Sequence, residues 1–258
     1  MLLGIDIGNT NIKMAVFKED EIVVSLRLAA VSGKTSDEYG LAVTDLLARS
    51  GVKPADIEAV IMSSVSPNLN YTFEHMVRYY FGAKPMLVGA GLKTGLMVKY
   101  VNPKELGSDR ILNAVAAYHT YGGPVIAIDC GTATTFNVVS EKGEFLGGLI
   151  SFGLKTGADA LSSSTARLPH IELSLPQSVV CRSTITNMQA GVIHGFIGMV
   201  RHIVQKIKEE TGFASAKVVA TGGLSELLSA EEGLIDAFDR TLTLRGLNII
   251  YKLNREKA

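Results

Sequence analysis

Residues 3–10 read LGIDIGNT, and residues 126–132 read IAIDCGT. Each stretch is a short apolar run that ends in Asp-x-Gly and continues into a small polar residue. An apolar run that is closed by glycine predicts a buried strand that enters a tight turn. Because the pattern occurs twice, we expect a duplicated fold in which an equivalent strand opens each half of the chain.

Both predicted strand ends carry groups that suit the binding of phosphate. Gly8 and Gly131 have no Cβ, so the backbone there can come close to a bound group. Asp6 and Asp129 are expected to face one crevice, where their carboxylates can hold a metal ion that neutralises phosphate charge. The neighbouring hydroxyls and amides can form hydrogen bonds with phosphate oxygens. The pattern therefore predicts that a nucleotide binds between the two halves.

The composition indicates a globular protein with a large core. The chain has 258 residues, of which 47% are hydrophobic, and a formal net charge of zero. This length is enough for one large domain or two moderate ones, and the neutral charge argues against a nucleic-acid partner. No run approaches the roughly 18 apolar residues that span a bilayer, and two cysteines are too few for a disulfide scaffold or a zinc site. Since acidic Asp6 interrupts the apolar start, we expect no signal peptide, and we expect a cytoplasmic protein with no membrane partner.

The spacing of apolar residues predicts an α/β fold with similar elements in each half. A Thr35-x-x-Glu38 capping box predicts the start of the first helix, which is expected to end at Gly51. Further helices are predicted over 71–81, 110–121, 187–211, 225–230 and 245–254. Strands are predicted over 2–7, 11–17, 21–28, 57–65, 124–131, 132–140, 145–151 and 217–220, the last followed by Thr221-Gly222-Gly223, and a strand end is predicted over 84–89.

The segment Gly107-Ser108-Asp109-Arg110 stands just before the helix predicted over 110–121. Asp109 has two interpretations at this point. It is an N-cap, for which aspartate is favoured for backbone reasons alone, or it is a general base that nearby backbone amides orient. In the second case Arg110 would bind an anionic group of the substrate, because a guanidinium matches a carboxylate with two hydrogen bonds.

The segment Thr221-Gly222-Gly223 follows a predicted strand and also has two interpretations. It forms a tight strand-to-helix turn, or it forms a surface on which a ring or a sugar lies against the backbone. Cys130 lies inside the second Asp-Gly motif, and we expect it to be a small core residue and not a nucleophile.

Three glycines, Gly191, Gly195 and Gly198, interrupt the long predicted helix. Each costs up to about 1 kcal/mol relative to alanine in a helix interior. Close packing against another backbone would offset this cost. The partner is an internal helix or a second subunit, and we favour the second subunit.

In chain order, these motifs closely resemble those of type III pantothenate kinases, from residue 2 to about residue 251. Each motif alone also occurs in sugar kinases, actin and Hsp70-type ATPases, so the ordered combination carries the resemblance. One position departs from the family pattern: Phe152 stands before Gly153, where the family usually has a proline that would restrain φ in this loop. The full set comprises Asp6-x-Gly8-Asn9-Thr10-Asn11-x-Lys13, Ser63-Ser64-Val65, Gly107-Ser108-Asp109-Arg110, Asp129-Cys130-Gly131-Thr132-Ala133-Thr134-Thr135, Gly147-Gly148-x-Ile150, Leu168-Pro169, Thr221-Gly222-Gly223 and Leu242-Thr243-Leu244.

The resemblance implies the fold of the acetate and sugar kinase/Hsp70/actin superfamily. The chain would form two ribonuclease-H-like (actin-like ATPase) halves, residues 1–114 and 115–258, each with a mixed five-stranded sheet and flanking helices, in a homodimer. The implied reaction is the ATP-dependent phosphorylation of pantothenate to 4′-phosphopantothenate, the first step of coenzyme A biosynthesis. The implied cofactors are Mg²⁺ and a monovalent cation, K⁺ or NH₄⁺.

The resemblance also implies roles for individual residues. Asp109 would accept the proton of the substrate hydroxyl, Asp129 would hold the monovalent cation, and Asp6 would hold the divalent cation through water. The implied ATP-binding residues are Asp6, Gly8, Asn9, Thr10, Asn11, Lys13, Thr132, Gly222 and Gly223. The implied pantothenate-binding residues are Tyr100, Gly107, Ser108, Asp109, Arg110 and Thr184.

Two other functions are compatible with the same fold. The first is a small-molecule kinase of another kind, acting on a sugar or on acetate. The second is a non-catalytic, ATP-binding regulator. The sequence shows no helix-turn-helix with a basic recognition helix, which disfavours the regulator.

Overall fold

The computed structural model describes residues 1–255, so residues 256–258, the end of the predicted second half, lie outside the described residues. Short 3₁₀ turns cover Pro54–Asp56, Pro103–Glu105 and Ser225–Ala230. In chain order, the strands and helices are β1 (Leu2–Ile7), β2 (Asn11–Lys18), β3 (Glu21–Ala29), α1 (Ser36–Arg49), β4 (Ala59–Ser64), α2 (Pro67–Phe81), β5 (Met86–Leu87), β6 (Met97–Val98), α3 (Ser108–Tyr121), β7 (Val125–Cys130), β8 (Ala133–Val139), β9 (Glu144–Phe152), α4 (Leu154–Ser163), α5 (Thr184–Thr211), β10 (Lys217–Thr221), β11 (Ala237–Phe238) and α6 (Leu242–Asn254).

The chain divides into two compact units. The first unit combines Met1–Ala116 with the segment that begins at Thr241, and the second unit is Ala117–Arg240. The sequence-based division at 114/115 placed the C-terminal helix α6 in the second half, and this assignment was wrong. In the structure, the apolar side of α6 completes the core of the first unit, where Leu247 packs in one cluster with Leu2.

The two units have the same strand order, which confirms the duplicated α/β fold. In the first unit the order is β3-β2-β1-β4-β5, with β1 antiparallel to β2 and parallel to β4. The second sheet has six strands, whereas five were expected. Five of them belong to the second unit and run in the order β9-β8-β7-β10-β11, with β7 antiparallel to β8 and parallel to β10. Strands β1 and β7, which carry the repeated Asp-Gly pattern, therefore occupy equivalent central positions.

The sheet of the first unit has a different helical layer on each face. Leu3, Ile5 and Ile7 of β1 pack in a cluster with Val43 of α1 and with Phe73 of α2. Successive side chains of a strand point to opposite faces. Asp6, which is 6% exposed, therefore points to the other face.

Helices α3 and α6 cover that other face. The cluster there contains Leu2 of β1, Leu112 of α3 and Leu247 of α6. A Cβ built at Gly4 of β1 would lie 3.3 Å from Leu247 Cδ1, which shows how closely α6 packs on the strand. Asp6 thus shares its face of the sheet with α3.

The second unit builds its core in the same way. Ile126 and Ile128 of β7 pack with Ala220 of β10 and with Phe196 and Val200 of α5. The alternation of side chains places Asp129 of β7 on the opposite face of the sheet. Asp6 and Asp129 are therefore equivalent within their own units.

Local signals in the sequence account for the ends of several helices. The predicted capping box is present, because Thr35 Oγ1 accepts a hydrogen bond from Glu38 N at 3.2 Å and Glu38 Oε2 accepts one from Thr35 N at 2.8 Å. Helix α5 begins three residues before the prediction because Ser183 caps it by accepting from Thr186 N. It ends as predicted at Gly212, which has a φ of 73°.

Some elements differ from the predictions. Helix α4 was not predicted, and the segment over 225–230, predicted as a helix, is a 3₁₀ turn. Glycine and serine disfavour the interior of a helix, and α4 contains Gly157, Ser162 and Ser163. Tertiary packing forms this helix, because Leu154 and Ala158 are buried on one side of it.

Candidate active site

The first Asp-Gly motif forms a tight turn at the carboxyl end of β1. Gly8 N donates to the carbonyl of Asn11 at 3.0 Å, and a Cβ at Gly8 would lie only 2.8 Å from that carbonyl oxygen. Glycine is therefore required at the turn. Asn9, Thr10 and Asn11 are exposed, so their polar groups and the backbone of the turn are accessible to a ligand.

Asp6 lies between two polar residues of neighbouring strands. It is in register with Lys13 of β2 and with Ser63 of β4. Side chains at paired positions of adjacent strands lie side by side on the same face. A buried carboxylate, a cationic chain and a hydroxyl therefore line the carboxyl end of this sheet.

Hydrogen bonds fix the amino terminus of α3 at the end of β4. Ser63 Oγ donates to Ser108 Oγ at 2.8 Å, and Ser108 Oγ donates to the carbonyl of Ser64 at 3.3 Å. Since Ser63 is the register partner of Asp6, these bonds bring the first turn of α3 to the strand end that carries Asp6.

Asp109 lies in the first turn of α3 and does not cap the helix, because α3 begins at Ser108. Its Oδ1 accepts from the adjacent N–H of Arg110 at 2.9 Å, so the N-cap interpretation of Asp109 is wrong. A Cβ built at Gly107 would lie 2.6 Å from this Oδ1. The carboxylate therefore folds back over Gly107, where any other residue would displace it.

The residue that follows Asp109 is a buried cation. Arg110 is 6% exposed, and its guanidinium carbon lies 6.0 Å from the centroid of the Tyr100 ring, within the range of a cation–π contact. The structure thus brings together Tyr100, Gly107, Ser108, Asp109 and Arg110, which were predicted as one site.

A cavity of about 1050 Å³ opens beside the amino terminus of α3 within the first unit. Its lining includes Ser64, Val65, Gly107 and Ser108. It lies beyond the carboxyl ends of the parallel strands β4 and β5, the usual place for a ligand in open α/β sheets. Its volume is sufficient for a small-molecule substrate.

In the second unit, the N–H of the motif glycine also closes the turn after β7, but it bonds to a carbonyl two residues further on, whereas Gly8 bonds to one three residues further on. Gly131 N donates to the carbonyl of Ala133 at 3.1 Å. Gly222 follows β10 with a φ of 97°, and a Cβ there would lie 2.5 Å from the carbonyl oxygen of Cys130 and 2.8 Å from Asp129 Oδ1. Gly222 is therefore irreplaceable at this close approach, and it leaves Asp129 room beside the backbone. Gly223 is exposed, and its built Cβ meets no atom of the described residues within 4 Å.

The loop that carries Thr132 is held by hydrogen bonds. The carbonyl of Thr132 accepts from Gly153 N at 3.1 Å and from Thr156 Oγ1 at 2.7 Å. Thr134 Oγ1 donates to the carbonyl of Phe152 at 3.1 Å. A Cβ at Gly153 would collide with the carbonyl of Thr132. These contacts fix the loop although Phe152 replaces the proline of the family pattern.

Cys130 is not a nucleophile in this setting. Burial, reinforced by the charge of Asp129, raises the pKa of the Cys130 thiol to about 12. The thiolate, which is the reactive form, is therefore absent near neutral pH.

Thr184 belongs to the second unit and not to the unit that holds Asp109. It is the first residue of α5, is exposed, and borders a cavity of about 900 Å³ between α4 and α5. The predicted ATP-binding residues also divide between the units: Asp6 to Lys13 belong to the first, and Thr132, Gly222 and Gly223 belong to the second.

Sequence reasoning missed the residues that hold these groups in place. No role was predicted for Ser63, for Thr156 or for the hydroxyl of Thr221. Ser63 could have been identified from the sequence, since it is a polar residue that follows the apolar run of β4.

Across residues 1–255, no group of three or more His, Cys, Asp and Glu side chains could hold a metal ion, and no helix is long and apolar enough to cross a membrane.

Solved structures with low sequence identity share this fold. A conserved protein from Campylobacter jejuni, assigned to the Baf family of transcriptional activators, is 21% identical with a TM-score of 0.62, over 98% of this chain and 99% of that one. A ROK hexokinase from Thermus thermophilus is 14% identical with a TM-score of 0.54, over 100% and 99% of the two chains. A ROK family glucokinase from Streptomyces griseus, in complex with glucose and AMPPNP, is 16% identical with a TM-score of 0.51, over 99% of both.

At these identities the matches establish the fold alone. The duplicated strand order, with an acid at the end of each central strand, is that of the actin-like ATPase fold, which these sugar kinases share. A family model for type III pantothenate kinase matches residues 2–206, and the chain belongs to this family. Family membership makes the protein a phosphotransferase that uses ATP.

Proposed function

We propose that the protein transfers the γ-phosphoryl group of ATP to the primary hydroxyl of pantothenate. The product is 4′-phosphopantothenate, and the reaction is the first step of coenzyme A biosynthesis. One observation carries this proposal: the Asp109 carboxylate accepts from the backbone N–H of Arg110, and the side chain of that arginine is buried. Asp109 supplies a proton acceptor for a hydroxyl, and Arg110 supplies a binding group for a carboxylate on the same substrate.

Arg110 and Asp109 would have different roles towards pantothenate, the phosphoryl acceptor. Arg110 binds the carboxylate of pantothenate through its planar guanidinium, while the ring of Tyr100 packs near that cation. Asp109 then accepts the proton of the hydroxyl as the phosphoryl group moves. A loose phosphoryl-transfer transition state requires mainly positioning and charge stabilisation, so the position of the Asp109 carboxylate matters most.

The residues of the first unit also suit the triphosphate. The exposed turn over 8–11 offers amides and hydroxyls to phosphate oxygens, and Lys13 supplies a positive charge. Asp6 would hold Mg²⁺ through water, because this ion gives up its hydration shell reluctantly. The ion would neutralise charge on the phosphates, as it does in other phosphoryl transfers.

The residues of the second unit would complete ATP binding. Thr132 contacts the nucleotide, and Gly222 and Gly223 lie along the adenosine. Asp129 would hold the monovalent cation, K⁺ or NH₄⁺. The close approach of its Oδ1 to the Gly222 position fits this role, since a single carboxylate in a site otherwise lined by neutral oxygens matches a singly charged ion.

The glycines of α5 support a homodimer. A Cβ built at Gly191, Gly195 or Gly198 meets no atom of the described residues within 4 Å, so no described internal helix packs against these positions. We therefore assign this face of α5 to a second copy of the chain. Thr184 begins the same helix and would contribute to the pantothenate site. We propose a cytoplasmic location for the enzyme.

A coupled assay of ADP release with pantothenate, with and without K⁺, tests the proposal. Asp109→Asn should lower kcat about 100-fold or more, as expected for loss of a general base, and should leave ATP binding nearly unchanged. Asp45→Asn, which alters an exposed carboxylate on α1, is the matched control and should retain the wild-type kcat.

Three results would contradict this function. Wild-type turnover in Asp109→Asn would remove Asp109 from its role. Phosphorylation of glucose or acetate with pantothenate inert would identify a kinase of another kind. ATP binding without turnover of any acceptor would indicate a regulator.

A further inference from the structure

Thr221 presents a buried hydroxyl that the described protein leaves unpaired. The residue is 1% exposed, and its Oγ1 forms no hydrogen bond with any residue from 1 to 255. Other buried threonines, such as Thr243, which donates to Asn113 at 2.8 Å, do form one. Burial of an unpaired hydroxyl is unfavourable, so a missing partner is expected at this position.

The sheet register places this hydroxyl beside Asp129. Thr221 of β10 is the direct partner of Asp129 of β7 in the parallel pair. Their neighbours Ala220 and Ile128 both face the core cluster under α5, so Thr221 and Asp129 share the opposite face. Asp129 Oδ1 leans towards Gly222, the residue after Thr221.

A second hydroxyl flanks the carboxylate on its other side. Thr135 of β8 is in register with Asp129, and its Oγ1 accepts from Asn137 Nδ2 at 3.3 Å. The row across β8, β7 and β10 thus reads hydroxyl, carboxylate, hydroxyl. It contains one negative charge and otherwise neutral oxygens, which suits a hard ion of low charge.

We propose that Thr221 Oγ1 is a direct, neutral ligand of the monovalent cation that Asp129 holds, an inference that rests on the cation site of the proposed function. The hydroxyl oxygen offers its lone pairs to the ion, and the ion is the partner that the protein does not provide. The unpaired hydroxyl, the strand register and the position of Asp129 Oδ1 all point to this role.

Thermal unfolding in KCl and in choline chloride of equal ionic strength tests the proposal without any measurement of activity. The wild-type Tm should be higher in KCl. Thr221→Val, which keeps the shape and removes the oxygen, should lose this increment, and its apparent Kd for K⁺ should rise about tenfold or more. Thr221→Ser, which keeps the oxygen, should retain the increment.

The sign of the effect in choline chloride is also decisive. In choline chloride the hydroxyl of Thr221 is unpaired, so Thr221→Val should have a Tm equal to or above that of the wild type. In KCl the Tm of the wild type should be the higher of the two. Thr243→Val is the matched control: it removes a paired hydroxyl, should lower Tm in both salts, and should leave the K⁺ increment intact. Each series is run with and without Mg²⁺ and AMPPNP.

The inference fails if the wild type shows no K⁺ increment, if Thr221→Val keeps it, or if Thr221→Val lowers Tm equally in both salts. It also fails if Thr221→Val reduces stabilisation by AMPPNP in choline chloride, which would assign the hydroxyl to the nucleotide. A K⁺ increment that depends on Thr221 without turnover of pantothenate would uphold the inference and reject the proposed function. Turnover of pantothenate by the wild type, together with a K⁺ increment that Thr221→Val leaves unaltered, would uphold the proposed function and reject the inference.

Discussion

Replacement of Gly107 by alanine should slow the enzyme without weakening its fold. The new Cβ would lie 2.6 Å from Asp109 Oδ1, whereas ordinary contact begins at 3.4 Å. The next atom, Val65 Cγ1, is 3.9 Å away and needs no adjustment. The carboxylate is the free end of a side chain, so it moves before the backbone does.

The size of the effect follows from the required displacement. Oδ1 must retreat by about 0.8 Å, which also strains its bond of 2.9 Å with Arg110 N. A misplacement of roughly 1 Å can cost about 100-fold in rate, so we expect kcat to fall between about 10-fold and 100-fold. The KM for ATP should not change, because the turn over 8–11 is untouched.

Stability should change little. Gly107 does not have a positive φ, so alanine restricts the unfolded chain, a gain of about 0.4–1 kcal/mol, and the displacement of the Asp109 carboxylate offsets part of that gain. The assay is steady-state ADP release with pantothenate, paired with Tm. Asp45→Asn, at the exposed carboxylate of α1, is again the control. A wild-type kcat in Gly107→Ala, or a loss of kcat that follows a fall in Tm, would refute the reasoning.

Further predictions concern stability and thiol chemistry. Gly222→Ala should destabilise the protein by about 2 kcal/mol or more, because the φ of Gly222 is 97° and the new Cβ would meet the rigid backbone of Cys130. Gly223→Ala is the control and should change the free energy of unfolding little. Equal losses of stability in the two variants, measured by urea denaturation, would contradict this prediction. At pH 8, a thiol reagent should titrate only Cys181 in the folded protein, since the pKa of Cys130 is raised to about 12; fast reaction of both thiols before unfolding would show that Cys130 is accessible. Thr35→Ala should cost about 1 kcal/mol in urea denaturation through loss of the helix cap, and an unchanged midpoint would assign the cap no energetic role.

The fold was predictable where local pattern and position agree. The repeated Asp-Gly motif identified β1 and β7, which proved equivalent in strand order. The Thr35 capping box and Gly212 marked helix ends correctly because both act through neighbouring backbone groups. The spacing of apolar residues also identified α6 as a helix, but it does not state which sheet buries that apolar side.

The predicted site depended on contacts that sequence spacing does not encode. Gly107 to Arg110 were identified together because they are consecutive. Their attachment to β4 requires a hydrogen bond between Ser63 and Ser108, 45 residues apart. The register of β7 and β10 likewise places Thr221 beside Asp129. No local sequence pattern specifies that register.

The return of α6 to the first unit has a consequence for synthesis on the ribosome. The second unit is one continuous segment, so all of it is synthesised before α6. The unit that carries Asp6 and Asp109 completes its core later, because its sheet lacks one covering helix until α6 has been made. Contacts such as that of Asn248 Nδ2 with the carbonyl of Glu19, 229 residues apart, form only at that stage. The nascent chain therefore gains its middle portion first and its acceptor-binding portion last.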